Sequence, residues 1–212
     1  MEITWLGHSC FKIKGKSGTI ITDPFDSTSG YKLGKLTADI VTLSHNHPGH
    51  NYAAGIGGDP KVITGPGEYD IAGIFVYGVR TFHDIEKGKQ RGNNTSYLIE
   101  IDDVKVCHLG DLGHVPSAAQ IDEISDADVL LIPVGGESTL DATTAVEVVN
   151  LISPDIVIPM HYQTESSRPE LDALDKFLKE IGTKDVTPVP KLSVNKSLLP
   201  LEMDVVVMDY QR

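Results

Sequence analysis

Hydrophobic and polar residues follow two different patterns along this chain. In the first half, short apolar runs rich in β-branched residues are separated by turns of Gly, Pro and Asp, which is typical of strands. The pattern predicts strands at 2–6, 10–14, 19–23, 39–44, 61–64, 73–79, 95–101 and 104–109. Between them we expect a loop at 27–38 and a short helix, weakened by three glycines, at 51–58.

The second half alternates helices with strands. Apolar positions at helical spacing predict helices at 116–124, 143–152 and 170–181. Nearly continuous apolar runs predict buried strands at 128–134 and 155–160, and a last strand follows at 203–208. Two mixed β-sheets packed back to back, with helices outside them, would bury all of these apolar faces. We therefore predict an α/β (α+β) fold that forms one domain over residues 1–212.

Composition and charge narrow the choice of partner. With 212 residues, the chain is long enough for one sizeable core. Its formal net charge of −12 argues against nucleic acid or an anionic membrane as the main partner, because both need a basic face. A small phosphorylated substrate is still compatible, because a bound metal can supply local positive charge. We expect a small-molecule partner, and the sequence leaves a homo-oligomer open.

The sequence gives no indication of export or of a disulfide framework. The N-terminus lacks a basic region followed by a long apolar run, so we expect no signal peptide. No segment approaches the ~18 consecutive apolar residues of a membrane helix. The two cysteines, Cys10 and Cys107, are expected to be small buried side chains. A cytoplasmic location is therefore the default expectation.

A run of histidines follows one of the predicted strands. His45, His47 and His50 lie within six residues, in a chain with only eight histidines. In extended backbone His45 and His47 leave the same face, and the turn at Pro48 and Gly49 can bring His50 back toward them. Neutral imidazole is the commonest protein ligand for zinc-like metals, so we favour a metal site over a solvated histidine loop.

Further candidate ligands stand at the ends of other predicted strands. These are His83, His108, Asp111 and His161. Because α/β proteins place their sites at strand ends, we expect these side chains to converge. Asp111 has two carboxylate oxygens and could bridge two metals about 3.5–4 Å apart, with a turn or capping role as the alternative. For His83, the alternative is a loop histidine paired with Asp84.

These residues occur in an order that is found in a known superfamily. The order is His-x-His-x-x-His, then Gly-Asp after a strand, then Pro-Met-His-Tyr. It resembles the metallo-β-lactamase superfamily, and especially its small lactonase-like members of the type that opens ascorbate 6-phosphate. Similar segments extend through the chain, at 5–9, 22–24, 44–51, 108–114, 133–136 and 158–162. The resemblance implies a four-layer αββα sandwich of two mixed β-sheets with helices on both outer faces.

The resemblance also implies ligands for one or two divalent ions, with Zn²⁺ expected and Mn²⁺ as the alternative. The first ion would be held by His45, His47 and His108. The second would be held by His50 and His161, and Asp111 would bridge the two. Asp23 would orient a ligand histidine by a hydrogen bond from outside the ligand set.

The same resemblance points to residues around the metal. His83 and Asp111 are the candidate catalytic residues, with His83 as a proton donor to the leaving group or as an oxyanion contact. Arg91 is followed by Gly92, an Arg-Gly pair that lactonase-like relatives also carry, which implies a place in the pocket. His8 is a candidate neighbour of the ligands, with a purely structural histidine as its alternative, and Tyr162 is a candidate pocket wall.

One position departs from the superfamily pattern. That pattern is His-x-His-x-Asp-His, and Gly49 stands where the aspartate belongs. The site could then hold one metal, hold two with water or another carboxylate in the missing position, or bind a ligand with little turnover.

Three functions can be compared on the basis of the sequence: one is predicted, one is its alternative and one is disfavoured. We predict a metal-dependent hydrolase of a small ester, lactone or phosphodiester, which uses hydroxide made available by the metal at neutral pH. The alternative is a non-catalytic or weakly active metal-binding protein of the same fold, which Gly49 favours. A non-haem iron redox protein is disfavoured, because such members usually replace the second histidine, here His47, with glutamate.

Overall fold

The computed structural model describes residues 1–168 and 170–211. Its strands are β1 Glu2–Gly7, β2 Cys10–Lys14, β3 Thr19–Thr22, β4 Leu36–Thr37, β5 Ile40–Thr42, β6 Ile56–Gly57, β7 Lys61–Ile63, β8 Gly67–Ile71, β9 Ile74–Phe82, β10 Asn93–Ile101, β11 Val104–His108, β12 Val129–Pro133, β13 Ile156–Met160, β14 Leu192–Ser193 and β15 Asp204–Val205. Its α-helices are α1 Ala118–Ile124, α2 Ala142–Ile152 and α3 Leu174–Glu180. None of the helices in these two ranges has the length and apolar character that crossing a membrane requires.

Two large mixed sheets form the frame of the fold. The first has six strands in the order β14-β1-β2-β3-β5-β7, and the second has seven in the order β15-β13-β12-β11-β10-β9-β8. In the first sheet, β1 to β3 form an antiparallel meander, and β5 and β7 extend it in parallel. In the second, β8 to β11 are antiparallel, and β12, β13 and β15 continue in parallel. This topology confirms the predicted fold class.

The alternation of side chains along each strand decides which residues lie between the sheets. In the first sheet, Trp5 and Ile13 belong to the main core, together with the apolar residues of the second sheet. The other face of the first sheet buries a smaller cluster that includes Cys10, Ile21 and Phe25. That face is covered by loop and 3₁₀ turns, whereas α1 and α2 pack against β9 and β12 of the second sheet.

Helix α3 begins at Leu174, later than the predicted start at residue 170. The residues before it use their backbone amides outside the helix: Leu171 N donates to Gln163 Oε1 at 2.9 Å, and Asp172 N donates to Gly135 O at 2.8 Å. Because helical hydrogen bonding would need those amides, the chain stays extended there. The first helix matches its predicted start closely, since Ser117 caps α1.

Two other segments differ from their predicted conformations. Strand β8, which lies between two predicted strands and was not itself predicted, pairs with β9 along its whole length. It lies at the edge of its sheet and carries exposed polar residues such as Glu68, so it lacks an apolar alternation. The predicted short helix at 51–58 is a 3₁₀ turn at Ala53–Gly55 followed by β6.

Both cysteines are buried free thiols, as the sequence suggested. Cys10 lies in the first sheet and Cys107 in the second. Burial raises the pKa of the Cys107 thiol to about 12, and burial together with the Asp23 carboxylate raises the pKa of Cys10 well above its usual range. Since the thiolate is the reactive form, both side chains are expected to be chemically inert.

The core position of β10 can be tested by truncating Ile99, which is fully buried between the partners Val76 and Val106. Ile99→Ala is expected to lower the free energy of unfolding by about 2–5 kcal/mol, because it leaves a cavity in a packed interior. Chemical denaturation measures the change. The matched control is Ile85→Ala, whose side chain is 81% exposed; it should change stability by less than about 0.5 kcal/mol. Equal effects of the two substitutions would contradict the core assignment.

Candidate metal centre

Strand ends from both sheets meet along one edge of the fold. From the first sheet come His8 in the turn after β1, Asp23 directly after β3, and His45, His47 and His50 in the loop after β5. From the second sheet come His83 after β9, Asp111 after β11 and His161 after β13. The carboxyl ends of neighbouring parallel strands share an edge, so residues far apart in sequence are brought together there.

Asp111 lies at the centre of this cluster. Its Oδ2 atom is 3.1 Å from His50 Nε2, 3.3 Å from His83 Nε2, 3.5 Å from His161 Nε2 and 3.8 Å from His45 Nε2. The carboxylate itself is buried. Four imidazole nitrogens around one buried carboxylate oxygen is an arrangement that suits bound divalent cations.

The ligand atoms fall into three groups whose members lie within 4.8 Å of one another. The groups are His45–His47–His50, His45–His83–Asp111 and His8–His50–His161. His45 and His50 each belong to two groups, so the cluster is continuous and has two ends. We call the end with His45, His47, His83 and Asp111 site A, and the end with His50, His161 and Asp111 site B.

Three residues of the cluster have left-handed backbone conformations, which non-glycine residues rarely adopt. The φ angles are 53° at His8, 39° at Asp23 and 52° at His161, at a cost of about 1–2 kcal/mol each. The carbonyl of His8 accepts hydrogen bonds from Trp5 Nε1 at 3.0 Å and from His161 N at 3.2 Å. The hydrogen bond between His161 and His8 therefore holds these two strained residues in place relative to each other. Backbone strain of this kind is typical of functional sites.

Asp23 holds the histidine loop in place, as the resemblance implied. Its Oδ1 accepts from Ser44 N at 2.7 Å, and its Oδ2 accepts from Ser44 Oγ at 2.5 Å. The same Oδ2 lies 2.9 Å from His50 Nδ1, which leaves Nε2 of that ring facing Asp111. Ser44 Oγ is also 2.9 Å from His45 Nδ1. One carboxylate and one hydroxyl thus orient two imidazoles, as outer-shell partners do in metal sites.

Asp111 is positioned by polar residues from both sheets. Asn94 Oδ1 accepts from Asp111 N at 3.0 Å, and Ser9 Oγ donates to Asp111 Oδ1 at 3.4 Å. The residue before it must be glycine: Gly110 has a φ of +59°, and a Cβ there would lie 2.5 Å from both Asn94 Oδ1 and Ser44 Cβ. The close approach of the two sheets at this point sets where the carboxylate lies.

Burial and charge act in opposite directions on the ionisation of the cluster. Burial lowers the pKa of His45 to about 4 and also lowers that of His161, so these rings are neutral, which is the metal-binding form. Burial would lower the pKa of His50 too, but the carboxylates of Asp111 and Asp23 outweigh it and raise that pKa to about 10. Burial opposes ionisation of Asp111, yet His161 and His50 hold its pKa well below the usual range. A cation between His50 and Asp111 would replace the proton.

Several ring nitrogens of the cluster are buried with no hydrogen-bond partner among the described residues. They include Nε2 of His45 and Nδ1 of His8, His83 and His161, and Nδ1 of the neighbouring His108 has no partner either. Buried polar atoms in native proteins nearly always have a partner, so these nitrogens indicate a ligand that side chains do not supply. A donor set of imidazoles with one carboxylate suits a zinc-type cation. The residues present therefore fit a divalent metal.

His108 lies apart from the three groups. Its Nε2 is 2.8 Å from Ser9 O, its ring packs edge-on against Phe11, and its side chain is fully buried. The contacts with Phe11 on β2 and with Ser9 in the turn before it place this side chain between the two sheets. Among the described residues, the groups of potential ligand atoms include His83, with His45 and Asp111, and do not include His108, which was the expected ligand.

A cavity of about 450 Å³ opens above the cluster. Its lining adds to the cluster a set of rim residues, namely Asn46, Arg91, Glu137, Ser138, Glu170 and Leu171. His8 and Arg91 are thus at the pocket, where the sequence placed them. Tyr162 is not part of that lining; its ring packs in the core against Trp5, with centroids 5.2 Å apart.

Asp84 organises the loop that brings Arg91 to the rim. Its carboxylate accepts hydrogen bonds from the backbone amides of Glu86, Gly88, Gln90 and Arg91, at 2.7–3.0 Å. The Arg91 side chain then donates through Nη1 to Glu137 O at 3.0 Å. These contacts argue against a pair between Asp84 and His83. Asp84 accepts hydrogen bonds from the backbone amides of its own loop, and His83 faces Asp111.

Sequence reasoning missed the polar residues that hold the ligands in position. Ser44 could have been found, because it directly precedes His45 at the strand end. Asn94 gave no local signal: its side chain bonds to Thr81, to the carbonyl of Leu109 and to the amide of Asp111, all of them distant in sequence. The rim residues on later loops likewise required the fold to be known.

Comparison with known proteins agrees with this geometry. Residues 2–161 match the protein family described as the Beta-lactamase superfamily domain. A UPF0173 protein of Pyrococcus furiosus is 33% identical over 203 residues, covering 88% of this chain and 93% of its own. A UPF0173 metal-dependent hydrolase of Thermococcus onnurineus is 30% identical over 216 residues, covering 87% and 93%.

A solved structure is similar over the whole length. It is that of a candidate Zn-dependent hydrolase of the metallo-β-lactamase superfamily from Thermotoga maritima. It has a TM-score of 0.84 and 41% identity, and the similarity covers 99% of each chain. The chain therefore belongs to the metallo-β-lactamase superfamily and, within it, to the UPF0173 family of metal-dependent hydrolases.

The role of Asp23 can be tested with Asp23→Asn, which keeps the shape of the side chain and tolerates a left-handed backbone. Because the amide cannot hold His50 as the carboxylate does, we expect affinity for Zn²⁺ to fall about 10- to 100-fold. Competition with a chromophoric chelator measures this. Asp39→Asn is the control: Asp39 accepts a backbone hydrogen bond from Thr19 at 2.7 Å, outside the cluster. Unchanged affinity in Asp23→Asn would show that His50 needs no such partner.

Proposed function

We propose that this protein is a zinc-dependent hydrolase of small esters, lactones or phosphodiesters, with manganese as the alternative ion. The strongest support is the convergence of four imidazole Nε2 atoms on Asp111 Oδ2. Imidazole-rich donor sets favour zinc, whereas magnesium, calcium and manganese prefer oxygen ligands. The names of the relatives, which speak of metal-dependent or Zn-dependent hydrolysis, point the same way.

Site A would hold the first cation through His45, His47, His83 and Asp111. His83 is then a ligand rather than the proton donor that the sequence suggested, because its Nε2 faces Asp111 at 3.3 Å. His108 would keep a structural role, joining β11 to the turn at Ser9.

When bound, divalent cations supply Lewis-acid polarisation of a carbonyl or phosphoryl oxygen and an activated water molecule. The side chains of the protein would fix the geometry in which this chemistry occurs. Asp23 and Ser44 orient His50 and His45, and their hydrogen bonds keep the correct ring nitrogens directed inward. Ser9 and Asn94 hold Asp111 between the two sites. Such pre-organisation means that few groups need to move when a substrate binds.

The cavity indicates the size and charge of the substrate. A volume of about 450 Å³ is in the range of pockets for small molecules. Arg91 brings a cation to the rim, at a position fixed by its contact with Glu137 O. A guanidinium recognises carboxylate and phosphate groups. The rim also carries Glu137 and Glu170, so the preference for a substrate with an anionic group rests on direct contact with Arg91 and not on the net charge of the rim.

The hydrolase can be tested by screening lactones, activated esters and activated phosphodiesters with the zinc-loaded protein. Chelation should abolish turnover, and His83→Ala should lower it by at least about 100-fold, since removal of a ligand should exceed the effect of losing an outer-shell partner. His108→Gln is the matched control: it should keep the cation and the turnover and lose only thermal stability.

Two outcomes would contradict this assignment. Turnover that is equal in wild type and His83→Ala would remove the enzyme reading and favour a metal-binding protein without catalysis. Loss of the cation in His108→Gln, with retention in His83→Ala, would make His108 the ligand. Elemental analysis of the same preparations measures the metal content of the two variants, so the ligand can be identified independently of activity.

The contribution of Arg91 can be measured by comparing a phosphodiester with a neutral lactone. Arg91→Ala is expected to raise KM for the anionic substrate by about 10-fold, because a charge-assisted hydrogen bond is lost, and to leave the neutral substrate nearly unchanged. Arg80→Ala is the control, since Arg80 is exposed on β9 and does not line the cavity. The same rise in KM for both substrates would mean that Arg91 only shapes the rim.

A further inference from the structure

We propose that His8 is a direct ligand of the cation at site B and takes the place of the aspartate that the superfamily pattern puts at position 49. Because this role presumes that the cluster binds divalent cations, it rests on the proposed function. Site B would then consist of His8, His50, His161 and Asp111. The residue that fills the position left by Gly49 thus comes from a different strand end, far away in the sequence.

The imidazole of His8 occupies the space that a side chain at position 49 would need. A Cβ atom on Gly49 would lie 2.9 Å from His8 Nε2 and 3.3 Å from its Cδ2, and the first of these distances is shorter than real Cβ contacts allow. The backbone does not demand glycine here, since Gly49 has no positive φ. The glycine is therefore explained by the ring of His8, and an aspartate at 49 would have to displace that ring.

The position of the His8 ring is that of a ligand. Its ligand atom lies within 4.8 Å of those of His50 and His161, and the ring centroids are 4.7 Å and 4.3 Å away. Nitrogen donors around one tetrahedral zinc are about 3.3 Å apart, so small rotations of the three rings would close them onto an ion. His8 approaches site B from the side of Gly49, where the missing carboxylate would have stood.

His8 is also held in a way that a packing role does not require. Its side chain is buried, with 4% of its surface exposed, and its Nδ1 atom has no hydrogen-bond partner. Its backbone is kept in the left-handed region by hydrogen bonds from Trp5 and His161 to its carbonyl. The strained conformation, together with the contacts to His50 and His161, directs the ring at the cluster.

Replacing a carboxylate with a neutral imidazole changes the charge of the site. Asp111 would be the one carboxylate shared by the two cations among the residues assigned here, so the occupied centre keeps one more positive charge than with an aspartate at 49. Compared with a site that has an aspartate at position 49, that additional positive charge would favour anionic substrates, as would contact with Arg91 at the rim.

The test is an exchange of ligands between positions 8 and 49, read out by metal content. Protein stripped with a chelator is dialysed against Zn²⁺, and the ions per chain are counted by elemental analysis. We expect two per chain in the wild type and one in His8→Ala. The double variant His8→Ala/Gly49→Asp should return to two, because removing the imidazole makes room for the carboxylate. Loading with Co²⁺ gives an independent signal, as the visible absorption should lose the contribution of one ion in His8→Ala.

Two further variants guard the interpretation. Tyr31→Phe is the control, since its ring lies 6.4 Å from that of His8 and supplies no ligand nitrogen; it should keep two ions. His8→Asn removes the imidazole, and asparagine tolerates the left-handed backbone. If His8→Ala does not fold, the number of Zn²⁺ ions per chain is therefore measured in His8→Asn.

The outcomes separate this role from the proposed function. Two ions in both His8 variants, or one ion in wild type and variants alike, would overturn the role of His8. In either case the hydrolase would stand, provided that His83→Ala loses an ion and the turnover. A wild type that retains no divalent ion would overturn both.

Discussion

The structure depends on one buried carboxylate that is surrounded by imidazoles. Asp111 places a negative charge in a region largely closed to water, and burial of a charge without compensation is costly. Four histidine nitrogens lie within 4 Å of its Oδ2 atom, and the raised pKa of His50 makes that ring the cation that compensates the carboxylate directly. Divalent ions held by the cluster would take over this compensation. The histidines that surround this charge come from several different strand ends, which converge on one edge of the two sheets.

The rest of the fold serves to keep these side chains in an arrangement that they would not adopt alone. His8, Asp23 and His161 have backbone conformations that are unfavourable for L-residues, and all three lie where a strand ends. The apolar core between the sheets, together with the hydrogen bonds of Ser44 and Asn94, holds this part of the backbone in place. Strain of this kind is tolerated because the packed sheets cannot relax it without losing much more burial.

Gly49 illustrates how a ligand can move within a fold without loss of the site. A cation requires donor atoms at certain points in space, and it does not matter which part of the chain supplies them. The turn after β1 passes close enough to the loop after β5 for an imidazole from one to take the space of a carboxylate from the other. The absence of the aspartate from the motif is therefore weak evidence against a second cation.

The sequence by itself determined the layered α/β architecture and most of the chemistry. Alternating apolar runs fixed the central strands, and the spacing of His45, His47 and His50 indicated a metal site, because these signals are local and repeat at the period of the backbone. The resemblance named Arg91 and Asp23, and the structure places Arg91 in the cavity lining and Asp23 beside the ring of His50. Edge strands such as β8 and the late start of α3 escaped prediction, because their backbone partners are distant in sequence and their side chains are polar.

Only the tertiary structure decided which candidates meet. His83 and His108 both follow or end strands of the second sheet, and nothing in their local sequence distinguishes ligand from core residue. The direction in which each strand end presents its side chain makes His83 face Asp111 and buries His108 against Phe11. In the same way, the conflict between His8 and a side chain at position 49 exists only once the two loops lie side by side, since steric exclusion acts between atoms in space and leaves no trace in either segment alone.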